Sequence, residues 1–317
     1  MDFRKLDMTK NIDDETKIIL KKIIRCPFCN GEIIWDNSLI CIECNDEYPI
    51  NKNNGQIDLR LKRPKTILYK QIINTNSNAF NTKNNKKGVY GFKFGYKKKT
   101  DGFDFKNINT TNKKPVDRLY SWLPKNKKIA MDIGSAKDEK NKKYLQSAGY
   151  TYISVDYDSP NAMILADAHA LPFHENTFDC ITNLAVMEHI EFPFIAGQEF
   201  FRTLNADGRM LGVVAFLQQQ HMSSWYHFTH YGVYSWLKNS GFNEKNIKID
   251  AASKIYHGIF NTASLIGLPN WLKNIIIYPI YFLHRLLWKI FILKTGKNVE
   301  KIRHLQTTGA IHFIADK

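Results

Sequence analysis

At 317 residues the chain is long enough for one full-sized domain and a small one. Hydrophobic residues make up 44% and aromatic residues 13%, which supplies a real core and excludes global disorder. The formal net charge of +15 favours an anionic partner, whether nucleic acid, anionic lipid or a phosphorylated substrate, with a Lys-, Asn- and Ile-rich compositional drift as the plain alternative.

The N-terminal run MDFRKLDMTKNIDDETK carries acids and no apolar core, so it does not read as a secretory signal. Four of the five cysteines fall in two CxxC pairs, and the fifth, Cys180, stands alone in an apolar strand-like run as a core thiol. Paired CxxC without a signal predicts metal binding in a reducing compartment, hence a cytoplasmic protein. Residues 20–60 hold the pairs: Cys26-Pro-Phe-Cys29, eleven residues, then Cys41-Ile-Glu-Cys44. Pro27 and Asn30-Gly31 suit the sharp turn of a knuckle. Four thiolates and no other ligand type predict a closed, structural Zn2+ site that stabilises a module too small to hold itself by apolar burial.

Residues 61–125 read as a basic linker leading into an N-terminal helical region. Between 61 and 100 there are eleven Lys/Arg and no Asp or Glu, with Tyr90, Phe92, Phe94 and Tyr96 set among the lysines. Such a segment is either a solvated linker or a surface that stacks bases and holds phosphates.

From 126 the pattern alternates. Lys128–Ile133, Tyr152–Val155, Ala162–Ala166, Phe178–Leu184 and Gly208–Phe216 read as strands. Residues 138–148, 194–204 and 231–239 read as helices, the first and last ending at Gly149 and Gly241. Strands alternating with helices imply crossovers and a mainly parallel sheet. An apolar, aromatic stretch over 251–303 follows, and GAIHFIA closes the domain, which spans 126–317, as a last strand.

In such sheets a ligand sits at the carboxyl ends of the strands. Asp132 ends the first strand, and Gly134 opens a turn in which no Cβ bars a ligand. Asp156 ends the second strand, twenty-four residues on, where two acceptor oxygens suit a ribose diol. Asp167 follows the third strand and suits an adenine amino group, with the Ala168 backbone beside it. The first turn lacks G-x-G-x-x-G, so nothing cradles a pyrophosphate, and a nucleoside cofactor fits better than a dinucleotide.

The runs MDIGSAKD, YISVDYDSP, ADAHALPFHENTFDCITNLAVMEHI, FFRTLNADGRMLGVVAF and WYHFTHYGVYSWLKNSGF, spanning Lys128–Phe242, resemble class I S-adenosylmethionine-dependent methyltransferases of the methyltransferase type 11 group. Cys26–Arg60, with EYPINKNNGQIDLR after the last knuckle, resembles the Trm112-like zinc ribbon. The resemblance implies an α/β, Rossmann-like, seven-stranded methyltransferase domain with a small N-terminal zinc ribbon. It implies S-adenosylmethionine as cofactor. Asp132 and Gly134 would hold its methionine end, with Ala136 in the same loop. Asp156 would take the ribose, Asp167 and Ala168 the adenine, and Asn183 and Leu184 would face cofactor and acceptor. Ala136 and Asp138 stand where the family has its second and third glycines. Asp138 is placed to cap the following helix.

Methyl transfer needs alignment and desolvation, and a base only where the acceptor must lose a proton. His221, five residues beyond the fifth strand, is the candidate base, with Tyr226, His227, His230 and Tyr231 as further candidates or as plain pocket wall. Glu188-His189 reads as a packing and hydrogen-bonding pair at the cofactor edge. Residues 275–293 (IIIYPIYFLHRLLWKIFIL) are long and apolar, but Arg285 and Lys289 make a spanning helix expensive. They read instead as a pocket lid, a dimer face or a helix lying on an anionic membrane surface. The leading expectation is methyl transfer to a small-molecule, saccharide or lipid-linked acceptor by a cytoplasmic protein, peripheral at the membrane if 275–293 binds there. An RNA methyltransferase gripping RNA through the ribbon and basic segment, and a non-catalytic methyltransferase-like binding protein, are the competing expectations.

Overall fold

The computed structural model describes residues 12–67, 119–125, 128–136, 141–218, 223–252, 260, 267–295 and 304–317. His221, Asp138 and all of the basic segment beyond residue 67 lie outside the described residues.

The chain enters through helix α1 (Asp14–Ile23). Asp13 caps it by accepting the Thr16 N–H at 2.8 Å. Asp14 and Glu15 in the first turn, and Lys21 and Lys22 in the last, complement the helix dipole. Strands β1 (Ile33–Trp35), β2 (Leu39–Cys41) and β3 (Glu47–Tyr48) follow as a small antiparallel sheet. Strand β4 (Ile57–Asp58) then leaves that module for a second, larger sheet.

The larger sheet comprises β4, β5 (Ile129–Ile133), β6 (Thr151–Asp156), β7 (Ile164–Leu165), β8 (Phe178–Leu184), β9 (Leu204–Ala215), β10 (Ile247–Ala251) and β11 (Ala310–Asp316). Across the sheet they run β10-β11-β9-β8-β5-β6-β7-β4. Strand β11 is antiparallel to both neighbours, and every other pairing is parallel. The mainly parallel α/β sheet matches the sequence expectation, but among the described residues it has eight strands where seven were expected. The additional strand is β4, lent by the cysteine module. It pairs Ile57 with Ile164 and Asp58 with Leu165, and so covers an edge that would otherwise leave its N–H and C=O groups unpaired.

A second difference concerns β9, which begins at Leu204 rather than at Gly208. Its register against β8 jumps from Phe178–Leu204 to Cys180–Arg209. The Asp207-Gly208 turn expected before the strand is therefore a bulge within it.

Both faces of the sheet are covered. Ala130, Tyr152, Cys180 and Leu211 pack with Leu145 of helix α2 (Lys142–Ser147) on one side. Met131, Ile133, Val155, Ile181 and Met210 lie in the larger cluster with Phe200 of helix α3 (Pro193–Thr203) and with Trp236 and Leu237 of helix α4 (His230–Ser240). Cys180 is fully buried, as a core thiol should be, and burial pushes its pKa up. Helices α3 and α4 meet at Gly197, where a Cβ would lie 2.0 Å from Ser240 Oγ and 2.5 Å from Trp236 Nε1. Trp236 Nε1 donates to the Pro193 carbonyl at 2.8 Å, so the indole's polar atom is satisfied inside the core. Thr229 starts α4 by accepting the Gly232 N–H at 3.0 Å, and Gly241 ends it at φ +117°. Between β10 and β11 runs helix α5 (Asn270–Thr295), with Pro279 inside it. No helix among the described residues is long and apolar enough to cross a membrane.

Candidate functional site

Strands β8, β5, β6 and β7 lie side by side, so their carboxyl ends form one row. Ile133 is level with Asn183 on one side and with Val155 on the other, and Asp156 is level with Leu165. The strand-end residues expected from the sequence are thus brought to one edge of the sheet.

Asp132 is fully buried. Its Oδ1 accepts from Thr182 Oγ1 at 2.6 Å and from Asn141 Nδ2 at 2.7 Å, and its Oδ2 accepts from Tyr152 Oη at 2.9 Å. Tyr120 Oη donates in turn to Asn141. The carboxylate ties β5, β6, β8 and the start of α2 together. The structure gives it the work of positioning strand ends, with its oxygens turned to protein donors.

Gly134 adopts φ +64°, and a Cβ there would stand 2.2 Å from Val186 Cγ2. The turn therefore requires glycine twice over, for its conformation and for the close approach of Val186. Its N–H donates to the Val155 carbonyl at 2.9 Å. Ala136 also has positive φ, +54°, a conformation that costs an L-residue about 1–2 kcal/mol. Its N–H donates to Asp156 Oδ2 at 3.0 Å, and this bond helps to hold the residue there. Asp156 Oδ1 accepts from the N–H groups of Asp158 and Ser159, both at 3.2 Å. The carboxylate is thereby fixed between the glycine turn and the loop after β6, half-buried, with acceptor capacity left on both oxygens.

Asp167 Oδ1 accepts from His169 twice, from the backbone N–H at 2.9 Å and from Nδ1 at 2.7 Å. Burial works to raise the Asp167 pKa, but the two bonds from His169 together outweigh it and hold the carboxyl below its ordinary value. With Nδ1 turned to the carboxylate, the other ring nitrogen of His169, Nε2, is buried without a partner. Ala168 is partly buried against the larger core cluster.

Asn183 is the most exceptional residue of the row. It is 0% exposed, and neither its Oδ1 nor its Nδ2 has a hydrogen-bond partner. Ser135 Oγ, at 4% exposure, is in the same condition. An unpaired buried polar group costs about 1–3 kcal/mol. Orphaned amide and hydroxyl atoms beside a turn that lacks a Cβ are what a small polar ligand requires of its site. Leu184 is half-buried and packs with the second core cluster.

Beyond β8 the backbone turns at Ala185, φ +56°, and Val186 folds back over Gly134. Glu188 is fully buried; its Oε1 accepts the Ala215 N–H at 3.3 Å. Its carbonyl accepts from the N–H groups of Trp225 at 2.6 Å and Tyr226 at 3.2 Å. It stitches the loop after β8 to the end of β9 and to the segment that follows, as the sequence reading of Glu188-His189 anticipated. Tyr226 Oη donates to the Glu191 carbonyl at 2.9 Å. His230 starts α4 and is buried, which lowers its pKa and keeps it neutral at pH 7. Trp225, Tyr226 and Tyr231 are exposed beside it.

In the cysteine module, the sulfurs of Cys26, Cys29, Cys41 and Cys44 all lie within 4.8 Å of one another. Cys26 and Cys44 stand 3.6 Å apart, and Cys29 and Cys41 3.4 Å apart. A tetrahedral ion with bonds of about 2.3 Å needs sulfurs about 3.8 Å apart. Each knuckle closes the same way. Asn30 N–H donates to Cys26 O at 2.8 Å, and Asn45 N–H to Cys41 O at 3.0 Å, with φ +65° and +58° at the two asparagines. The set fits a closed four-thiolate centre.

The module also grips the loop after β6, which sequence reasoning did not anticipate. Gln56 Nε2 donates to the carbonyls of Ser159, at 2.9 Å, and Ala162, at 2.7 Å. Arg60 donates to the Tyr157 carbonyl at 3.4 Å and lies over the Tyr157 ring. These are the residues that follow Asp156. His169 was missed as well, and its only sequence signal is its place two residues after Asp167.

Residues 122–212 match a family model described as a methyltransferase domain. No curated protein matches the chain in sequence. Among solved structures, the chain is similar to the phosphoethanolamine N-methyltransferase 2 of Haemonchus contortus in complex with S-adenosyl-L-methionine, at 15% identity and a TM-score of 0.41. That alignment covers 64% of this chain and 51% of the other, so the chain spans about half the length of that protein. A SAM-dependent methyltransferase of Archaeoglobus fulgidus aligns at 14% identity and a TM-score of 0.41, over 63% of this chain and 92% of the other. The 1,6-didemethyltoxoflavin-N1-methyltransferase of Burkholderia thailandensis aligns at 12% identity and a TM-score of 0.39, over 64% and 76%. Over those 91 of its 317 residues the chain thus resembles a methyltransferase domain.

Proposed function

We propose that this protein binds S-adenosylmethionine along the carboxyl ends of β5, β6, β7 and β8 and transfers its methyl group to a small-molecule, saccharide or lipid-linked acceptor. The observation that carries the reading is the row itself: Gly134, Asp156, Asp167 and Asn183 on four adjacent strand ends, with the Asn183 amide buried and unpaired. Asp156 offers its remaining lone pairs to the two ribose hydroxyls. Asp167 keeps its charge through His169 and offers Oδ2 to the adenine amino group. The backbone of Gly134–Ala136 approaches the ligand where no Cβ stands in the way at Gly134, and Asn183 supplies one donor and one acceptor from below. The cofactor contributes a sulfonium-bound methyl, already activated for displacement. What the chain must add is alignment and exclusion of water, which its buried strand ends and the Val186 cover favour.

The acceptor side is read from topology. Strand β10 ends and β11 begins on this same edge, so the long connection between them emerges beside the cofactor row. The four-cysteine centre is read as a structural Zn2+ site in a Trm112-like ribbon, supported by the sulfur spacing and the paired knuckles.

The test is titration calorimetry with S-adenosylmethionine and S-adenosylhomocysteine. Asp156→Ala is expected to weaken binding by about 1–3 kcal/mol, or about 5- to 150-fold, through the lost charged hydrogen bonds. Equal affinity in the variant would remove the ribose assignment, and no binding by the wild type would remove the cofactor.

A further inference from the structure

The connection between β10 and β11 carries a surface that methyl transfer does not use. Among the described side chains of helix α5, Lys273 and Ile277 are buried on one side, at 7% and 3% exposure. The opposite side is apolar and open to solvent. Ile275, Tyr278, Phe282 and Leu286 recur at intervals of three and four, which sets them in one stripe along the axis. They are 62%, 62%, 63% and 48% exposed, and Leu283 and Ile290 beside them are 55% and 51% exposed. A soluble monomer rarely leaves so continuous an apolar face uncovered without a partner for it.

Charge selects among the partners. From 267 to 303 the sequence has seven Lys/Arg and one acid, Glu300. Arg285 stands on the flank of the stripe, exposed, with its guanidinium 5.6 Å from the Tyr281 ring centre. A second copy of this chain would bring like-charged rims together with a single acid to offset them, on molecules that each carry +15. The helix is not long and apolar enough to cross a membrane. An exposed apolar face flanked by Arg285, in a stretch of strongly basic sequence and on a helix that does not span, matches the interface of an anionic bilayer, where apolar side chains enter the acyl boundary and cations meet phosphate.

The placement adds a consequence. Ala252 N–H donates to Ala310 O at 2.9 Å, and Phe216 N–H to Gly309 O at 3.0 Å, so the connection leaves and re-enters the sheet at the edge that holds Asp156 and Asn183. We propose that α5 is a surface anchor that lays its exposed apolar stripe into an anionic membrane and brings the cofactor edge to an acceptor held in that membrane. The second half of this proposal rests on the function proposed above; the first half does not.

The experiment is flotation of the full chain with vesicles of phosphatidylcholine, with and without phosphatidylglycerol, read beside calorimetry with S-adenosylmethionine. The wild type is expected to float with the anionic vesicles and to be released by salt. Tyr278→Glu/Phe282→Glu/Leu286→Glu is expected to lower partitioning about tenfold or more while cofactor affinity and thermal unfolding stay unchanged. Arg285→Glu/Lys289→Glu, which keeps the stripe, is expected to erase the preference for the anionic vesicles. Wild type and triple variant floating alike, no flotation with either vesicle, or a lipid-free dimer that the triple substitution dissolves would each overturn the anchor. Flotation by a wild type that binds no S-adenosylmethionine would leave the anchor standing and sink the cofactor site.

Discussion

Gly134→Ala puts a single methyl where the structure has least room for one. Two terms add. The residue sits at φ +64°, which costs an L-residue about 1–2 kcal/mol, partly offset by the roughly 0.4–1 kcal/mol that alanine gains from a stiffer unfolded chain. The new Cβ would lie 2.2 Å from Val186 Cγ2, 3.1 Å from Cγ1 and 3.2 Å from Cβ, so no rotation of Val186 alone relieves all three contacts. Overpacking of this kind costs about 1–3 kcal/mol. The expected destabilisation is about 1–4 kcal/mol in urea unfolding, together with weaker S-adenosylmethionine binding by calorimetry, because the loop that carries the Asp156 bond must move. The two terms separate in a double-mutant cycle. Val186→Ala removes the 2.2 and 3.1 Å contacts and leaves the 3.2 Å contact with Cβ and the backbone strain, so the pair should show a favourable coupling of about 1–3 kcal/mol. A Gly134→Ala protein within about 0.5 kcal/mol of wild type, or no coupling to Val186, would refute the steric account.

If the four cysteines hold the Zn2+ proposed above, a chelator, like Cys29→Ser, should loosen the N-terminal module and with it the pairing of β4 to β7. The amide protons of Ile57 and Leu59, which donate to Met163 and Leu165 at 3.0 and 2.8 Å, should then exchange faster, and cofactor affinity should fall because Gln56 no longer holds the Ser159 and Ala162 carbonyls. Unchanged protection at both amides would separate the metal from the sheet. Burial lowers the pKa of His230, so the unfolded chain takes up this proton more readily than the folded one. The contribution is stability that is full above the unfolded value, about 6.5, and is lost as pH falls through it. His230→Gln should therefore flatten the loss of thermal stability between pH 7 and pH 5, and an unaltered slope would contradict it.

What was legible in the sequence was local or periodic. Short apolar runs separated by turn residues marked the strands of the parallel sheet, and an acid at the end of a strand is placed by chain order alone. The places of Asp156 at a strand end and of Asp167 just after one were therefore readable, as was the clustering of the four cysteines, whose spacing is itself the geometry. What escaped depends on contacts between distant parts of the chain. The hydrogen bonds that bury Asp132 could not be read, because its partners, Asn141, Tyr152 and Thr182, stand nine, twenty and fifty residues away. Strand β4 has two residues and no period to detect, and what makes it a strand is the open edge of β7. The bulge in β9 hid behind an Asp-Gly that reads as an ordinary turn. The orphaned state of Asn183 has no sequence signature, since being unpaired is a property of its surroundings.

The connection between β10 and β11 is, in chain terms, a hairpin loop closed at its base by the Ala252–Ala310 bond. The entropy of closing a loop grows only with the logarithm of its length, so a long insertion there burdens the sheet little more than a short one. If the strand-end row holds the methyl donor and α5 lies on a membrane, as proposed above, then lengthening, trimming or replacing this one loop would change acceptor choice and membrane address and leave the row itself intact.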